Sequence, residues 1–402
     1  MTHPLLIIGA GLAGWQSVRE FRKLDSTTPI TLVTADAGDF YAKPTLSNAF
    51  GQKRGPAQLV TTPAASIAQT LNVTLLPHTT VSAIDTAAQL VQTSTGPLAY
   101  RDLVLATGAR AIRVPLAGDA AEQVLSVNSL DDFGVFHQRL SALGEAGPNI
   151  RVSIMGAGLI GCEFANDLAG AGYAVTVIDP SERPLAALLP PPASVQLQAA
   201  LSGLSVQWQL GATVQVVNSQ AGALSLTLSN GQTLAADIVL SAVGLRADTS
   251  LAQAAGIACE RGILVDRQLQ TSAAHVWALG DGAQYASAAS PGAPTGRTLP
   301  YVMPIMAAAK VLAANLCGTP AALEFAAMPV AIKTPALPIV AHPPAPGHLG
   351  EWVEQVLGEW WFAAADAPER AHGFVLTGTH TSKRMALVKQ LQAVVAPVVS
   401  AT

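Results

Sequence analysis

The chain has 402 residues, of which 50% are hydrophobic and only 12% are charged, and its formal net charge is −4. That length suits two or three domains of roughly 150 residues, with enough apolar surface for a sizeable core. The net charge is slightly negative, and no block of basic residues occurs. Nucleic-acid binding depends on clustered Lys and Arg, so we expect no nucleic-acid partner.

Apolar runs in this sequence are too short to cross a membrane. A spanning helix needs roughly 20 apolar residues, and the longest candidate, 299–317, is interrupted by Pro304, Lys310 and Asn315. Residues 1–8 carry no basic region ahead of their apolar run, so we expect no signal peptide.

The cysteines and histidines show no metal-binding or redox spacing. Cys162, Cys259 and Cys317 lie far apart, without a CxxC pair, and the eight histidines include no HxxxH or HExxH. We therefore expect no metal site, and a reducing, cytoplasmic location fits this cysteine usage.

The first motif follows a short apolar run. Residues 5–8 read LLII, as in a buried parallel strand, and Gly9, Gly11 and Gly14 then form GxGxxG at the start of a helical pattern. These glycines allow a tight turn, contact with a pyrophosphate and close packing of helix on strand. The free N–H groups at the helix N-terminus would face the phosphates. The segment therefore predicts a dinucleotide site.

An acidic residue follows the next strand-like run, 30–34. Asp36 lies about twenty residues beyond Gly14, where a carboxylate would reach an adenosine ribose hydroxyl. The alternative is that Asp36 is a solvated acid in a loop.

The same pattern occurs a second time. Residues 151–155 form a strand-like run, Gly156, Gly158 and Gly161 repeat GxGxxG, and a further strand ends at Asp179. Two complete motifs predict two dinucleotides in one chain.

Asp179 also bears on the choice of the second dinucleotide. A carboxylate accepts hydrogen bonds from both ribose hydroxyls of NAD and repels the 2′-phosphate of NADP, which usually requires an Arg. The next basic residue, Arg183, is four positions further on. The sequence therefore favours NADH over NADPH.

Three further runs complete a recognisable order: 100–108, ending in ATG, 237–244, reading DIVLSAVG, and 274–281, ending in GD. With the two glycine motifs, they resemble the pyridine nucleotide–disulfide oxidoreductase superfamily over roughly residues 4–320. The resemblance implies an α/β fold, with two Rossmann-like dinucleotide-binding domains (glutathione-reductase-like) plus a small α+β C-terminal domain. It also implies the cofactors FAD and NADH.

Residues 41–47 distinguish between the branches of that superfamily. Disulfide reductases carry cysteines here, whereas this segment reads YAKPTLS. A thiol relay needs a thiolate, so electrons must leave the flavin directly. The segment is similar to the YxRPxLSK of the ferredoxin/rubredoxin reductase branch. Lys43 replaces the commoner Arg of this segment, and Asn48 replaces a commoner Lys. Position 48 therefore supplies no lysine for a Lys–Glu pair beside the nicotinamide.

Three more segments, 160–169, 301–304 and 333–335, resemble most the bacterial rubredoxin reductases of alkane oxidation. The resemblance implies rubredoxin as a transient electron-transfer partner. Reduction of an oxygenase ferredoxin is a second interpretation. A third, of another class, is a non-catalytic, NADH-sensing flavoprotein.

The resemblance also implies which residues contact FAD. Asp281 would bind the ribityl and pyrophosphate region, the Val81 backbone the adenine, and Lys43 and Lys333 the cofactor itself. The GD pair could otherwise be an ordinary turn, and Lys333 a surface charge. The predicted FAD residues are Gly9, Ala10, Gly11, Leu12, Ala13, Gly14, Thr34, Ala35, Asp36, Lys43, Pro44, Val81, Ala106, Thr107, Gly108, Glu163, Gly280, Asp281, Val302 and Lys333.

No side chain is predicted to perform the chemistry, with Glu163 and Lys43 in supporting roles. By resemblance Glu163 lies near flavin and nicotinamide; alternatively, it is an acid complementing the helix dipole. Pro304 is predicted to start a helix, 304–316, whose positive end faces N1 of the reduced flavin. The predicted NAD residues are Gly156, Ala157, Gly158, Leu159, Ile160, Gly161, Asp179 and Gly244.

The C-terminal region has a Pro-rich start, which predicts a loop rather than regular structure, and a predicted helix near 382–394. Its aromatic residues are either core, which we favour, or a docking face for the electron carrier. The prolines are Pro335, Pro338, Pro343, Pro344 and Pro346, and the aromatics are Trp352, Trp360, Trp361 and Phe362.

The domain prediction has an FAD domain in two pieces, with an NAD domain inserted between them. Asn230-Gly231 is predicted to form a hairpin turn between two strand-like runs. The predicted bounds are 1–115 and 247–325 for the FAD domain, 116–246 for the NAD domain and 326–402 for the C-terminal domain.

Overall fold

The structure is a computed structural model in which strands and helices alternate through most of the chain. Of residues 146, 367–370 and 392–395 it describes the backbone alone. The described residues are 3–146, 149–286, 296–344, 349–365 and 367–395.

Most strands are short. The first thirteen are β1 (Leu5–Ile8), β2 (Ile30–Val33), β3 (Phe40–Tyr41), β4 (Val60–Thr62), β5 (Thr74–Leu76), β6 (Val81–Asp85), β7 (Leu90–Thr93), β8 (Gly96–Ala99), β9 (Asp102–Leu105), β10 (Ala109–Ala111), β11 (Arg151–Met155), β12 (Ala174–Asp179) and β13 (Gln207–Leu210). The others are β14 (Val214–Gln220), β15 (Ala223–Leu228), β16 (Thr233–Ala236), β17 (Ile238–Ser241), β18 (Leu245–Ala247), β19 (Ile263–Val265), β20 (Val276–Ala278), β21 (Ala283–Tyr285), β22 (Val330–Ile332), β23 (Ile339–His342), β24 (Gly350–Val356), β25 (Glu359–Ala364) and β26 (Ala367–Thr377).

The helices fall between these strands. They are α1 (Leu12–Leu24), α2 (Pro56–Leu59), α3 (Ala64–Thr70), α4 (Leu130–Ala146), α5 (Leu159–Gly170), α6 (Pro191–Ser202), α7 (Ser250–Ala254), α8 (Val302–Leu316) and α9 (Arg384–Val395). Short 3₁₀ helices occur at Lys43–Asn48, Ala121–Gln123, Gly280–Gly282 and Gly378–Lys383.

The first compact unit comprises Met1–Lys43, Ala57–Arg110 and Leu245–Phe325. Its main sheet is parallel, with the strand order β20-β9-β1-β2-β5. All four residues of β1 are buried, as expected for a strand covered on both faces. The strand order reverses between β1 and β9, and such switch points bind ligands at the carboxyl ends of the strands.

Helix α1 packs against α8 within this unit. Trp15 on α1 is fully buried, and its indole N–H donates to the Gly38 carbonyl at 2.9 Å. This bond satisfies the one polar atom of a large apolar side chain, so α1 is held firmly beside the loop that follows β2.

The second compact unit comprises Pro44–Pro56, Ala111–Gly244 and Ala326–Thr402. Its parallel sheet has the order β13-β12-β11-β17, with a switch point between β11 and β17. Each unit therefore places one glycine loop at the switch point of a parallel sheet.

The hairpin predicted at Asn230-Gly231 is confirmed. Strands β15 and β16 pair antiparallel across it, and Gly231 has a φ of +83°. The second strand ends at Ala236, however, and the following residues form β17 in the parallel sheet.

The C-terminal sheet is antiparallel, with the order β22-β23-β26-β25-β24, and α9 packs on β26. The predicted C-terminal helix is thus confirmed as α9. Trp360 and Phe362 are buried, and Trp352 and Trp361 are half-buried. Their burial supports the interpretation of these aromatics as core.

Two predictions about prolines were wrong. The Pro-rich segment is not entirely a loop, because β23 lies between Pro338 and Pro343, and prolines that flank a strand cost no ladder hydrogen bond. Pro346 lies outside the described residues. Helix α8 begins at Val302, so Pro304 is its third residue, where the N–H needs no intrahelical acceptor.

The predicted fold class is confirmed, with two parallel α/β sheets and a small C-terminal sheet carrying a helix. The compact units group the C-terminal segment with the middle of the chain. The division into an FAD domain, an NAD domain and a third domain stays a prediction.

Candidate functional site

The first glycine loop is shaped by its own backbone. Gly9 has a φ of +107°, and a Cβ on it would lie 2.3 Å from the Ala106 oxygen. A Cβ on Gly14 would lie 1.9 Å from the Gly9 oxygen. A Cβ on Gly11, by contrast, would meet nothing within 4 Å. The chain itself therefore requires glycine at positions 9 and 14, whereas the space beside Gly11 fits a pyrophosphate.

Helix α1 begins with its N–H groups uncapped by any side chain. Gly11 is the N-cap, it makes no side-chain cap, and the first turn contains no acidic residue. The first N–H groups of a helix lack intrahelical partners and carry partial positive charge. This helix terminus thus suits an anionic phosphate, as predicted.

The predicted ATG and GD segments meet the same loop. A Cβ on Gly280, whose φ is +84°, would lie 2.8 Å from the Cβ of Ala13, and one on Gly282 would lie 3.0 Å from the Gly108 oxygen. The Thr107 hydroxyl donates to the Asp248 carbonyl at 3.1 Å. These contacts bring Ala106–Gly108 and Gly280–Asp281 together with Gly9–Gly14 at the β1/β9 switch point.

Asp281 and Lys43 face one another in this unit, with 4.0 Å between Lys43 Nζ and Asp281 Oδ2. Burial raises the pKa of the Asp281 carboxyl, and the Lys43 charge opposes that rise. The Lys43 ammonium thus favours the ionised form of Asp281, which suits a carboxylate that accepts hydroxyl hydrogen bonds.

Asp36 closes a local turn. Its Oδ1 accepts the Thr34 hydroxyl at 2.6 Å and the Gly38 N–H at 2.9 Å, and the residue is exposed. The turn follows Ala35 directly, so both earlier interpretations of Asp36 are compatible with its position. Val81 is half-buried at the start of β6, and Val302 is exposed at the start of α8.

The second glycine loop repeats the geometry of the first. Gly156 has a φ of +108°, and its Cβ would lie 2.6 Å from the Ala242 oxygen. A Cβ on Gly161 would lie 1.9 Å from the Gly156 oxygen, and one on Gly158 would meet nothing within 4 Å. Gly158 caps α5 without a side-chain bond. This loop, too, leaves open space at its middle glycine.

Asp179 is fixed by the second loop itself. Its Oδ2 accepts the Ala157 N–H at 2.6 Å and its Oδ1 the Ser181 N–H at 2.7 Å. A carboxylate has about four lone-pair sites, so two backbone bonds leave capacity for ribose hydroxyls. Gly244 lies across the switch point, after β17, with a φ of +113°.

Arg183 is used inside the protein. Its guanidinium donates to the Leu189 carbonyl at 2.7 Å, the Ser194 hydroxyl at 2.9 Å and the Ala186 carbonyl at 3.1 Å. These bonds hold the loop between β12 and α6. An Arg committed in this way does not serve a 2′-phosphate, which agrees with the preference for NADH.

Glu163 lies at the centre of a buried ionic cluster in the second unit. Its side chain is fully buried, its Oε2 accepts the Ser47 hydroxyl at 2.6 Å and the Lys333 ammonium, and its Oε1 accepts the Lys333 backbone N–H at 2.9 Å. The Lys333 ammonium also donates to the Pro44 carbonyl at 2.8 Å and to Ser47 Oγ at 3.2 Å.

The structure thus gathers Pro44, Glu163 and Lys333 of the predicted FAD residues in the second unit, and the others belong to the first. Glu163 is fully buried and paired with Lys333, so Lys333 is not a free surface charge; a contribution of Glu163 to the helix dipole stays an alternative. Although Asn48 supplies no lysine, a Lys–Glu pair exists, because Lys333 supplies it from the C-terminal segment.

Sequence reasoning missed three residues near this cluster. Ser47 bridges Glu163 and Lys333, Asp167 accepts the N–H groups of Phe50 and Gly51, and Asn166 accepts the Ala336 N–H. One signal was available: Glu163, Asn166 and Asp167 stand at i, i+3 and i+4 of an otherwise apolar helix, so they share one face.

The thiols provide no reactive group for electron relay. All three cysteines are free, and burial raises the pKa of each. Cys162, the most buried, is shifted furthest from ionisation. Burial thus disfavours the thiolate form of each cysteine, and a thiolate is the form that a thiol relay needs.

Two features are absent from the described part of the chain. Within 3–146, 149–286, 296–344, 349–365 and 367–395, no helix combines the length and the hydropathy needed to cross a membrane. The same part of the chain brings together no group of three or more His, Cys, Asp or Glu suited to a metal ion.

Comparison with known proteins decides the family. The pattern described as pyridine nucleotide-disulphide oxidoreductase matches residues 3–301. The chain belongs to this family. A second pattern, described as a rubredoxin binding C-terminal domain, matches residues 322–391.

Curated members of the family match along almost the whole chain. A rubredoxin-NAD(+) reductase of Alcanivorax borkumensis is 41% identical over 98% of this chain and 99% of its own length. A nitric oxide reductase FlRd-NAD(+) reductase of Aeromonas salmonicida is 39% identical over 97% of both chains. The solved structure of the putidaredoxin reductase–putidaredoxin complex has the same fold, with a TM-score of 0.84 and 24% identity. The match covers 97% of this chain and 94% of that one.

Family membership confirms FAD and NADH as the cofactors, and the loops fit them. Each loop has an open middle glycine and an uncapped helix N-terminus for a pyrophosphate. The first loop lies with Ala106–Gly108 and Asp281 in one unit, and the second loop lies with Asp179 in the other.

Proposed function

We propose that this chain is an NADH-dependent reductase that passes electrons from NADH through bound FAD to rubredoxin. The observation that carries the proposal is the pair of open glycine loops in a chain whose segment 41–47 contains no cysteine. The rubredoxin-binding pattern over residues 322–391 supports the choice of acceptor.

Bound FAD supplies the redox chemistry, since it accepts an electron pair from NADH and releases electrons singly to a one-electron iron carrier. The protein contributes position and charge. The uncapped N-terminus of α1 and the Gly11 backbone would bind the pyrophosphate. Asp281, whose ionised form the Lys43 charge favours, would accept hydroxyl hydrogen bonds.

NADH binding uses the second loop in the same way. The Gly158 backbone and the N-terminus of α5 receive the pyrophosphate, and Asp179 selects the ribose with two free hydroxyls. Because Ala157 and Ser181 N–H groups already orient this carboxylate, it needs no rearrangement to bind.

Glu163 and Lys333 are proposed to act on the flavin, as the family resemblance implies. The Lys333 ammonium would stabilise the negative charge of reduced FAD, and Glu163 would hold that ammonium in place. We propose the remaining predicted FAD contacts, including Ala35, Asp36, Pro44, Val81 and Val302, on the same resemblance.

The relatives differ in their acceptors, which their names give as rubredoxin or FlRd. We favour rubredoxin because the Alcanivorax borkumensis reductase, at 41% identity, is named for it. We also propose that the reaction takes place in the cytoplasm and supplies electrons to an alkane hydroxylase. Reduction of an oxygenase ferredoxin is the second candidate.

The experiment compares three acceptors with the purified flavoprotein. NADH oxidation is followed with rubredoxin, with a ferredoxin and with an artificial one-electron acceptor. Turnover with rubredoxin at a higher kcat/KM than with ferredoxin supports the proposal. Flavin bleaching by NADH without turnover of any acceptor would instead support the NADH-sensing interpretation.

A further inference from the structure

Helix α5 carries three buried polar side chains on one face. Glu163, Asn166 and Asp167 are 0%, 6% and 6% exposed. A buried polar group is unfavourable unless it is hydrogen-bonded, and a buried charge more so. Each of the three therefore needs a partner, and the partners come from two distant segments, 44–51 and 333–336.

Asp167 holds the first of these segments by its backbone. Its Oδ2 accepts the Phe50 N–H at 2.9 Å, and its Oδ1 accepts the Gly51 N–H at 2.8 Å. Both donors follow directly after the 3₁₀ helix Lys43–Asn48. The carboxylate thus fixes the end of this helix, and two bonds to one rigid group leave the segment little freedom to shift.

Gly51 is shaped to admit that carboxylate. A Cβ on Gly51 would lie 2.9 Å from Asp167 Oδ1. Its φ is not in the left-handed region, so glycine is needed here for space beside the carboxylate and not for backbone conformation. An alanine at this position would displace the Asp167 side chain without removing a charge.

The same segment supplies the acceptors of the Lys333 ammonium. A lysine ammonium has three N–H donors, and that of Lys333 meets three acceptors: the Pro44 carbonyl, Ser47 Oγ and Glu163 Oε2. The first two lie on the segment that Asp167 holds. The position of the Lys333 charge therefore depends on where Asp167 holds the segment.

We propose that Asp167 is a positioning residue, which fixes residues 44–51 on α5 and thereby sets the position of the Lys333 ammonium beside Glu163. Its effect on the flavin rests on the proposed function, in which Lys333 stabilises reduced FAD. Its effect on Lys333 itself does not. Electrostatics links the two residues directly, because Lys333 favours the ionised form of Asp167.

The test measures the accessibility of Lys333 independently of activity. The purified holoprotein is pulse-labelled with acetic anhydride, and mass spectrometry of peptides gives the rate at each lysine. The variants are Asp167→Ala, Asp167→Asn and Gly51→Ala. The matched control is Asp119→Asn, because Asp119 also accepts a backbone N–H, from Ser219 at 2.7 Å.

We expect Lys333 to be labelled about tenfold faster in Asp167→Ala and Gly51→Ala, the factor that corresponds to losing one charge-assisted hydrogen bond. Asp167→Asn, which keeps one acceptor oxygen, should be intermediate. Lys310 and Lys389 should keep their rates in every variant, which separates a local change from general loosening. The flavin midpoint potential should move in the same direction as in Lys333→Met.

Wild-type labelling of Lys333 in both Asp167→Ala and Gly51→Ala would overturn the proposal. So would faster labelling of all lysines to the same extent, which would assign Asp167 a role in stability alone. If Asp167→Ala does not fold, Gly51→Ala decides the question. If the wild-type protein fails to reduce rubredoxin, the proposed function is wrong. The labelling rates of Lys333 would still test the role of Asp167.

Discussion

Lys333 binds both oxygens of the Glu163 carboxylate, although the two residues are 170 positions apart in the chain. The ammonium donates to Oε2 and the backbone N–H to Oε1. A fully buried carboxylate thus has a cation and an amide from one residue, and Ser47 adds a third donor. The cation that pairs with Glu163 therefore comes from the C-terminal segment.

Removing the cation should destabilise the fold. In Lys333→Met, Glu163 remains as a buried charge without its ion-pair partner, and breaking such a pair costs ~3–5 kcal/mol. Since Lys333 is 30% exposed, we expect the lower end of that range. The double variant Glu163→Gln/Lys333→Met should recover most of the loss. Urea denaturation measures both, and additive losses would contradict the pairing.

The same variant should shift the flavin potential. Losing a positive charge that stabilises reduced FAD should make the midpoint potential more negative by about 30 mV, the two-electron equivalent of ~1.4 kcal/mol. Lys383→Met is the matched control, because Lys383 also pairs with a buried acid, Glu359, at 2.6 Å. The control should lose stability and keep the flavin potential. An unchanged potential in Lys333→Met would remove its flavin role.

The two middle glycines should separate the two cofactors. A Cβ on Gly11 or Gly158 meets no protein atom within 4 Å, so both alanine variants should fold. Gly11→Ala should lose FAD affinity by at least about tenfold, since the methyl takes the space of a phosphate contact. Gly158→Ala should keep FAD and raise the KM for NADH.

Gly14→Ala serves as the contrasting variant. Its Cβ would lie 1.9 Å from the Gly9 oxygen, so it should destabilise the first unit itself. Titration of the apoprotein with FAD and a thermal melt measure the two effects. Equal FAD affinities in Gly11→Ala and wild type would show that the first loop is not the flavin site.

Asp179 should determine the affinity for NADH. Replacing Asp179 alone should not make the protein use NADPH. Asp179→Ser removes the ribose acceptor, and we expect a roughly tenfold higher KM for NADH, as for the loss of a charge-assisted hydrogen bond. NADPH should not become a good substrate, because Arg183 remains bonded within its loop. Steady-state kinetics with both nucleotides measures this, and efficient NADPH turnover would contradict the role of Arg183.

Asp167 should make the stability of the protein depend on pH. Burial raises the pKa of its carboxyl above that of the unfolded chain, although the Phe50 and Gly51 N–H groups oppose the rise. The folded state therefore binds this proton more tightly, so the contribution to stability is present below the unfolded pKa, near ~3.9. It is lost as pH rises through the higher folded value.

The stability difference between wild type and Asp167→Asn isolates that contribution. The free energy of unfolding of the wild type, relative to that of Asp167→Asn, should fall as pH rises from 4 to neutral. Other carboxyls contribute equally to both proteins, so they cancel in this difference. Urea denaturation at a series of pH values measures the difference. A difference that grows with pH would mean that the carboxyl is more acidic in the folded protein.

Local sequence signals predicted the two glycine loops closely. Gly9 and Gly156 need positive φ, and Gly14 and Gly161 need the absence of a Cβ. Those requirements arise within a few residues of the chain, so a motif carries them. The strand of the Pro-rich segment was missed because its prolines mark the ends of β23, and composition does not distinguish flanking from interior positions.

Local sequence signals could not predict the ionic cluster of Glu163 and Lys333. Glu163 and Lys333 were each singled out by family resemblance, but their pairing depends on how α5 packs against the C-terminal segment. Asn48 left any Lys–Glu pair unassigned, and the cation that pairs with Glu163 comes from Lys333. Tertiary contacts over such separations leave no spacing pattern in the sequence.

In the proposed reaction, electrons from NADH reach rubredoxin through a flavin and without a thiol. The most direct measurement is anaerobic stopped-flow absorbance of the holoprotein with NADH and oxidised rubredoxin, using the protein alkylated at its accessible cysteines alongside the untreated one. We expect flavin bleaching first, and then rubredoxin bleaching at the flavin's turnover rate, with equal rates in both samples. A colourless protein that takes up no FAD, or rubredoxin reduction abolished by alkylation, would contradict it.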